Sequence, residues 1–232
     1  MATLDKETSL PSMTFEEFLN WSNEETRAEW VDGKVEILMP VSYAHLAITR
    51  FLILVLGYFL DVRKMGALIH SPFLMRLPSR PSGREPDVAV ILHAHRDRIK
   101  STYIDGPADI AVEVISPESR ERDRIEKFRE YALAGIPEYW LIDPALKTAE
   151  FYKLHDGVYE PSSIDAEGRF WSDTLPGFWM MVTWLWEEPS LPEILTAWEN
   201  GPTRETAFAS DDEGFLVYPP QPDDGMQGTR LK

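Results

Sequence analysis

Asp87, Glu113 and Lys127 are the three side chains whose setting calls for a chemical explanation. Asp87 opens the apolar run DVAVIL directly after Pro86, and Glu113 stands inside ADIAVEVIS, 26 residues later. Lys127 follows 14 residues further on, in a charged stretch that reads as a helix folding back over a sheet. A carboxylate inside a sheet strand is costly unless a cation, a metal or a hydrogen-bond donor meets it. Two carboxylates from neighbouring strands, converging near an ammonium, make a site for a hard cation. Oxygen ligands and retained waters suit magnesium or manganese. Such an ion polarises a phosphate oxygen and acidifies a bound water, while the ammonium stabilises developing charge.

Each residue taken alone also has a purely structural reading. Asp87 could cap a turn after Pro86, and Glu113 could pair with Arg120 or Arg124. Lys127 could be a solvated member of a helix whose charges balance, with Asp123 one turn before it. Only the three together carry the argument. Side chains alternate along a strand, so Glu113 shares a face with Ala111 and Ile115 while Val112 and Val114 point the other way.

The elements that must position these groups can be read in order. Thr14 to Glu17 has the spacing of a capping box, which predicts a helix over Phe15 to Trp21. Trp30 to Met39 predicts a hairpin turning at Asp32-Gly33. Tyr43 to Val62 predicts a long, largely buried helix headed by His45. Gly66 to Leu77 reads as one strand with Pro72 at a bulge or edge, and Pro78 to Glu85 as a loop. Asp87 to Leu92 is a strand, and His93 to Gly106 a connection with one helical turn. Then come the strand holding Glu113, a turn at Ser116-Pro117, the crossover helix and the strand Glu138 to Ile142. Phe151 to Tyr159 is a further strand with a turn at Asp156-Gly157, and one more strand begins near Gly177. The tryptophans of residues 170–186 read as a core-closing layer. The expected organisation is a tail over 1–13, one domain over 14–198, and an acidic Pro/Gly-rich tail over 199–232. The expected fold is α/β, with a mixed central sheet flanked by helices, an N-terminal hairpin and extra C-terminal strands.

Composition narrows the function classes. The 232 residues contain no cysteine, which excludes disulfides, thiolate metal sites and cysteine nucleophiles, and fits a cytoplasmic protein. Met1 to Leu10 lacks the basic-then-apolar order of an export signal, and the ten apolar residues Phe51 to Leu60 are too few to span a bilayer. No membrane association is expected. A formal charge of −16 argues against broad, non-specific nucleic-acid binding. Residues 63–100 depart from it, with eight Lys and Arg against three acids; they could flank the acidic site and face a phosphate backbone, or equally be scattered surface charges. No phosphate-binding Gly-rich loop, serine nucleophile elbow or zinc-spaced histidine pair is present apart from His93-x-His95 in a loop.

The segments EWVDGKVEILMPVSYAH, EPDVAVIL and ADIAVEVISPESRERDRIEKFREYALAGIPEYWLIDP resemble the Uma-two family of restriction endonucleases, within the PD-(D/E)XK nuclease superfamily. The resemblance spans roughly Phe15 to Trp186. It implies a restriction-endonuclease-like core and metal-dependent cleavage of phosphodiester bonds. It makes Asp87 the metal-binding aspartate after Pro86 and Glu113 the second acid, helped by the backbone carbonyl of Val114. The superfamily's lysine normally lies two residues after the second acid, where this chain has Ile115. The resemblance therefore implies a lysine migrated to the crossover helix, at Lys127. His45 and Glu36 are further candidates, and Tyr131 is expected to pack against the sheet. DNA is the implied substrate and a homodimer would suit cutting both strands. The alternative is a catalytically silent interaction module that keeps the nuclease fold.

Overall fold

The computed structural model describes residues 12–23 and 27–203. It opens with α1 (Phe15–Trp21), whose N-cap Thr14 and Glu17 form the full reciprocal capping box. Strands β1 (Ala28–Val31) and β2 (Lys34–Ile37) form the expected hairpin. Both turn residues are left-handed, Asp32 with φ 49° and Gly33 with φ 84°, as a two-residue turn between right-twisted strands requires. Helix α2 (Tyr43–Arg63) starts at Ser42, whose hydroxyl accepts from the His45 amide.

Six strands form the central sheet, in the order β11-β10-β9-β8-β6-β3. They are β3 (Gly66–His70), β6 (Val88–Leu92), β8 (Ile110–Val114), β9 (Glu138–Asp143), β10 (Thr148–His155) and β11 (Val158–Pro161). Only β8 and β9 run parallel, so the sheet is mixed. The crossover between them is helical: a π-helical stretch, Arg122–Lys127, runs straight into α3 (Phe128–Ala134) and stops at Gly135, left-handed at φ 83°. Helix α2 covers one face of this sheet, burying Phe51, Leu52, Val55, Leu56 and Phe59 against Val88, Val90, Val112 and Val114. The crossover helix covers the other face, where Tyr131 meets Ala89, Ile91, Ala111 and Ile115. The expected α/β architecture, with a mixed sheet flanked by helices, is therefore present. Helix α2 is long and apolar enough to cross a membrane on length and composition alone, but its apolar stripe is spent in this core.

A second sheet, in the order β2-β1-β5-β4-β7, carries the N-terminal hairpin. Its other strands are β4 (Leu74–Leu77), β5 (Ser82–Arg84) and β7 (Tyr103–Asp105), and they correct three expectations, one being that His93 to Gly106, read as a connection, contains β7, which pairs with β4. Gly66 to Leu77 is two strands in different sheets, because Pro72 has no N–H with which to continue a ladder. Pro78 to Glu85 is not wholly a loop: Ser82–Arg84 bridges β1 and β4. Phe15 lies so close to Gly83 that a Cβ there would come within 2.7 Å of its ring, so the smallness of this strand is what lets α1 close over it.

The C-terminal aromatics fold into the hairpin β12 (Arg169–Trp171) and β13 (Trp179–Met181). Phe170 stacks on Phe151 at 3.8 Å and Trp171 and Trp179 are buried, which is the core-closing role expected of this segment. A short α4 (Trp184–Glu187) and an unexpected α5 (Leu191–Asn200) follow, so helix persists past Trp198. The tails expected over 1–13 and 199–232 lie outside the described residues except for 12–13 and 199–203.

The direction α2 faces is testable by a pair of truncations. Leu52→Ala, at a fully buried position, should cost about 2–5 kcal/mol in urea unfolding, whereas Leu54→Ala, exposed on the opposite face, should cost well under half of that. Equal costs would contradict the packing.

Candidate functional site

The register of β6 and β8 explains why an acid after a proline sits where it does. Val88 lies opposite Val112 and Ala89 opposite Ala111. Continuing that pairing sets Asp87 opposite Glu113, and Pro86 opposite Val114. On β8 the odd-numbered peptides face β9, since the Ile115 N–H donates to Ile142 O at 2.7 Å, so those of Val112 and Val114 face β6. Pro86 has no N–H to give. The Val114 N–H is taken by the Asp87 carboxylate at 2.7 Å, and its carbonyl, opposite Pro86 in this register, meets no ladder N–H. Asp87 and Glu113 form a directly opposed pair without mutual backbone bonds, the arrangement that brings side chains closest.

Both acids are buried, and their partners leave part of each carboxylate uncommitted. Asp87 Oδ2 accepts from Val114 and lies 3.1 Å from His45 Nε2. Glu113 Oε1 accepts from Lys127 Nζ at 2.9 Å and from the Tyr131 hydroxyl at 2.8 Å. Asp87 Oδ1 and Glu113 Oε2 take no hydrogen bond among the described residues. The structural alternative that Glu113 pairs with Arg120 or Arg124 is not realised: Arg120 pairs with Asp143 and Arg124 with Glu150. Lys127 is not a solvated helix residue either, being 2% exposed. Tyr131 packs against the sheet as expected and also donates to Glu113.

Lys127 reaches a third acid that the sequence reading did not single out. Glu29 of β1, wholly buried, accepts from the ammonium at 2.8 Å. The other Glu29 oxygen pairs with Arg84 at 2.9 Å, and Oε1 also takes the Glu85 N–H at 3.0 Å. Arg84 is fully buried and also meets Glu130 at 2.7 Å, Glu126 at 3.2 Å and Glu36 at 3.3 Å. Glu36 therefore serves Arg84 from a half-exposed position and does not converge on Asp87 and Glu113. Asp123, buried one turn before Lys127, stands 3.7 Å from the ammonium.

Burial pushes the Glu113 carboxyl well above the usual glutamate range, against the pull of Lys127, and the negative charges of Asp123, Asp87 and Glu29 push it further. Burial also opposes ionisation of Glu29, but Lys127, Arg84 and Arg122 outweigh it and hold that carboxyl at about 2. Burial works against the charged Lys127, and Glu113, Glu29 and Asp123 reverse it, so the amine is held protonated above its ordinary range.

Among the described residues no three His, Cys, Asp or Glu side chains are grouped to hold an ion. What the donor set offers is two opposed carboxylates, each with one uncommitted oxygen, beside a peptide carbonyl without a ladder partner. That set fits magnesium or manganese, which take few protein oxygens and keep several waters. Ile115, at the usual lysine position, is buried in the apolar face, while Lys127 delivers its ammonium from the helix above.

The expected basic flank is corrected. Arg76 pairs with Asp105 and Glu16, Arg80 with Asp32 and Glu130, and Arg84 is consumed inside. Arg63 and Lys64 end α2, and Arg96, Arg98 and Lys100 follow the far end of β6, away from the end that carries Asp87. His95 pairs with Asp109 at 2.7 Å, so the His93-x-His95 spacing does not form a metal site. A cleft of about 650 Å³ among Phe59, Trp171, Trp179 and Trp198 also lies at the far end of α2, away from the acids.

The fold has a counterpart among solved structures. The crystal structure of a "putative nuclease belonging to DUF820" from Anabaena variabilis superposes with a TM-score of 0.63 at 18% identity, covering 75% of this chain and 98% of that one. The type IIG restriction endonuclease BpuSI aligns with a TM-score of 0.28 at 18% identity, over 49% of this chain and 11% of its own, too distant to carry an argument. No curated protein matches the chain. The family Uma2, described as "Putative restriction endonuclease", matches residues 15–183, and the chain belongs to that family.

The acid–base network makes its own forecast. Glu29 titrates at about 2 when folded against an ordinary 4.5, so it contributes stability above pH 4.5 that is lost as pH falls towards 2. The linked amount is about 3 kcal/mol. Glu29→Gln should flatten the fall of urea-unfolding stability across that window. An unchanged slope would contradict the assigned network.

Proposed function

We propose that the protein is a divalent-metal-dependent phosphodiesterase that cuts DNA endonucleolytically. The observation that most supports this reading is the opposed Asp87–Glu113 pair with Lys127 2.9 Å from Glu113. Asp87 and Glu113, with the Val114 carbonyl, would hold the ion. A bound Mg²⁺ or Mn²⁺ supplies a Lewis acid for the phosphoryl group and an acidified water. His45, at 3.1 Å, fixes the orientation of the Asp87 carboxylate. Lys127 neutralises charge building on the phosphate and orients the attacking water, its ammonium kept protonated by Glu29. Because the site lacks a basic flank, the ion and Lys127 carry the electrostatic attraction to phosphate themselves. A homodimer would present two such sites to the two strands of a duplex.

A second reading, a silent interaction module on a nuclease fold, draws support from Ile115 at the usual lysine position and from the buried pairing of Lys127 with Glu113. Cleavage decides between them. Wild-type protein should nick supercoiled DNA with Mg²⁺ or Mn²⁺ and lose that activity in a chelator. Asp87→Asn and Glu113→Gln should each lower the rate by about a hundredfold or more while circular dichroism stays unchanged; Lys127→Met should abolish cutting and also lower urea-unfolding stability by several kcal/mol, because it leaves Glu29 and Glu113 buried without their cation. Calorimetric Mg²⁺ binding should vanish in Asp87→Asn. Wild-type protein that neither binds the ion nor cuts would leave the silent module.

A further inference from the structure

The five-stranded sheet ends at β2, and nothing among the described residues pairs with its outer side. The bonds to β1 come from alternate residues: Val31 lies opposite Lys34, Glu29 opposite Glu36, and the Leu38 N–H donates to Arg27 O at 2.9 Å. In a two-residue hairpin the closing pair is hydrogen-bonded, so Lys34, Glu36 and Leu38 spend their peptide groups inward. The N–H and C=O of Val35 and Ile37 therefore point away from the sheet. Beyond the strand the chain keeps exposing apolar side chains. Ile37 is 56% exposed, Met39 63%, Tyr43 84% and Leu46 56%, with Val41 between them. An open strand edge continuous with an apolar row is what a protein seldom leaves to water.

We propose that this edge pairs with the same edge of a second copy of the chain, antiparallel about a twofold axis at Val35. The choice of occupant rests on charge. Because Val35 and Ile37 point outward, a twofold can fall at Val35, at Glu36 or at Ile37. An axis at Glu36 sets two glutamates face to face, which destabilises. An axis at Ile37 leaves Lys34 opposite Pro40. An axis at Val35 sets Lys34 opposite Glu36 of the second copy, twice over, with Val35 opposite itself. Glu36 is already oriented by Arg84 at 3.3 Å. The two five-stranded sheets become one of ten strands. Glu29 and Glu36 share a face of the hairpin, so the Glu29–Arg84–Lys127 clusters of both copies lie on the same side of it. The interface stands whether or not the protein cuts DNA.

Sedimentation equilibrium of the full-length protein over a concentration series tests this directly. Wild type should dimerise. Val35→Pro removes an outward N–H and no bond to β1, and should give a monomer with an unchanged far-ultraviolet spectrum. Lys34→Glu should raise the dissociation constant at least several-fold, and Lys34→Arg, which keeps the charge, should leave it near the wild-type value. A wild type that stays monomeric throughout, even one that binds DNA through the apolar row instead, overturns the proposal. So does a dimer that survives both Val35→Pro and Lys34→Glu. A dissociation constant unmoved by Lys34→Glu overturns the axis at Val35.

Discussion

One ammonium joins the two sheets of this protein. Lys127 lies between Glu113 of the six-stranded sheet and Glu29 of the five-stranded sheet, within 2.9 Å of each, and all three side chains are buried. Withdrawing such charges from water costs several kcal/mol per ion, and only close pairing returns it. The crossover helix must therefore dock so that Lys127 falls between both acids, and each sheet must sit where its glutamate can reach. Arg84 repeats the arrangement one layer further out, bridging Glu29 to Glu130 on the same helix. The polar core thus fixes how sheets and helix meet, a task that the apolar clusters on either side of the central sheet do not perform by themselves.

The same pairing sets the electrostatics of the site. Glu113 shares its cation with Glu29 and sits near Asp87 and Asp123, whose negative charges add to burial in raising its carboxyl while Lys127 pulls the other way. Pro86 stands opposite Val114 with no N–H to offer its carbonyl, and the Val114 N–H is taken by the Asp87 carboxylate at 2.7 Å.

What could be read from the residues follows what is local. The capping box at Thr14, the Asp32-Gly33 turn and the apolar stripe of α2 are set by neighbours in sequence, and each forms as its pattern dictates. Glu113 and Lys127 drew attention because an acid in an apolar strand demands a partner, and the partner is found. The same reasoning applied to the AEWV strand would have singled out Glu29, but the Asp32-Gly33 turn signal beside it dominated the reading. Arg84 was not legible. Its strand, Ser82–Arg84, has no apolar period, and it forms because Gly83 fits under Phe15 and because β1 and β4 offer edges on both sides. The supposed basic flank failed for a related reason: charge summed along a segment does not say which cations are already paired.

The claim on which all of this turns is that Asp87 and Glu113 share one ion beside Lys127. An anomalous difference map from a crystal soaked in Mn²⁺ tests it most directly. The account predicts a single strong peak bonded to both carboxylates and to the Val114 carbonyl, with the Lys127 ammonium alongside. A map with no peak between the two acids, or with manganese bound elsewhere and Lys127 still filling their place, would contradict it.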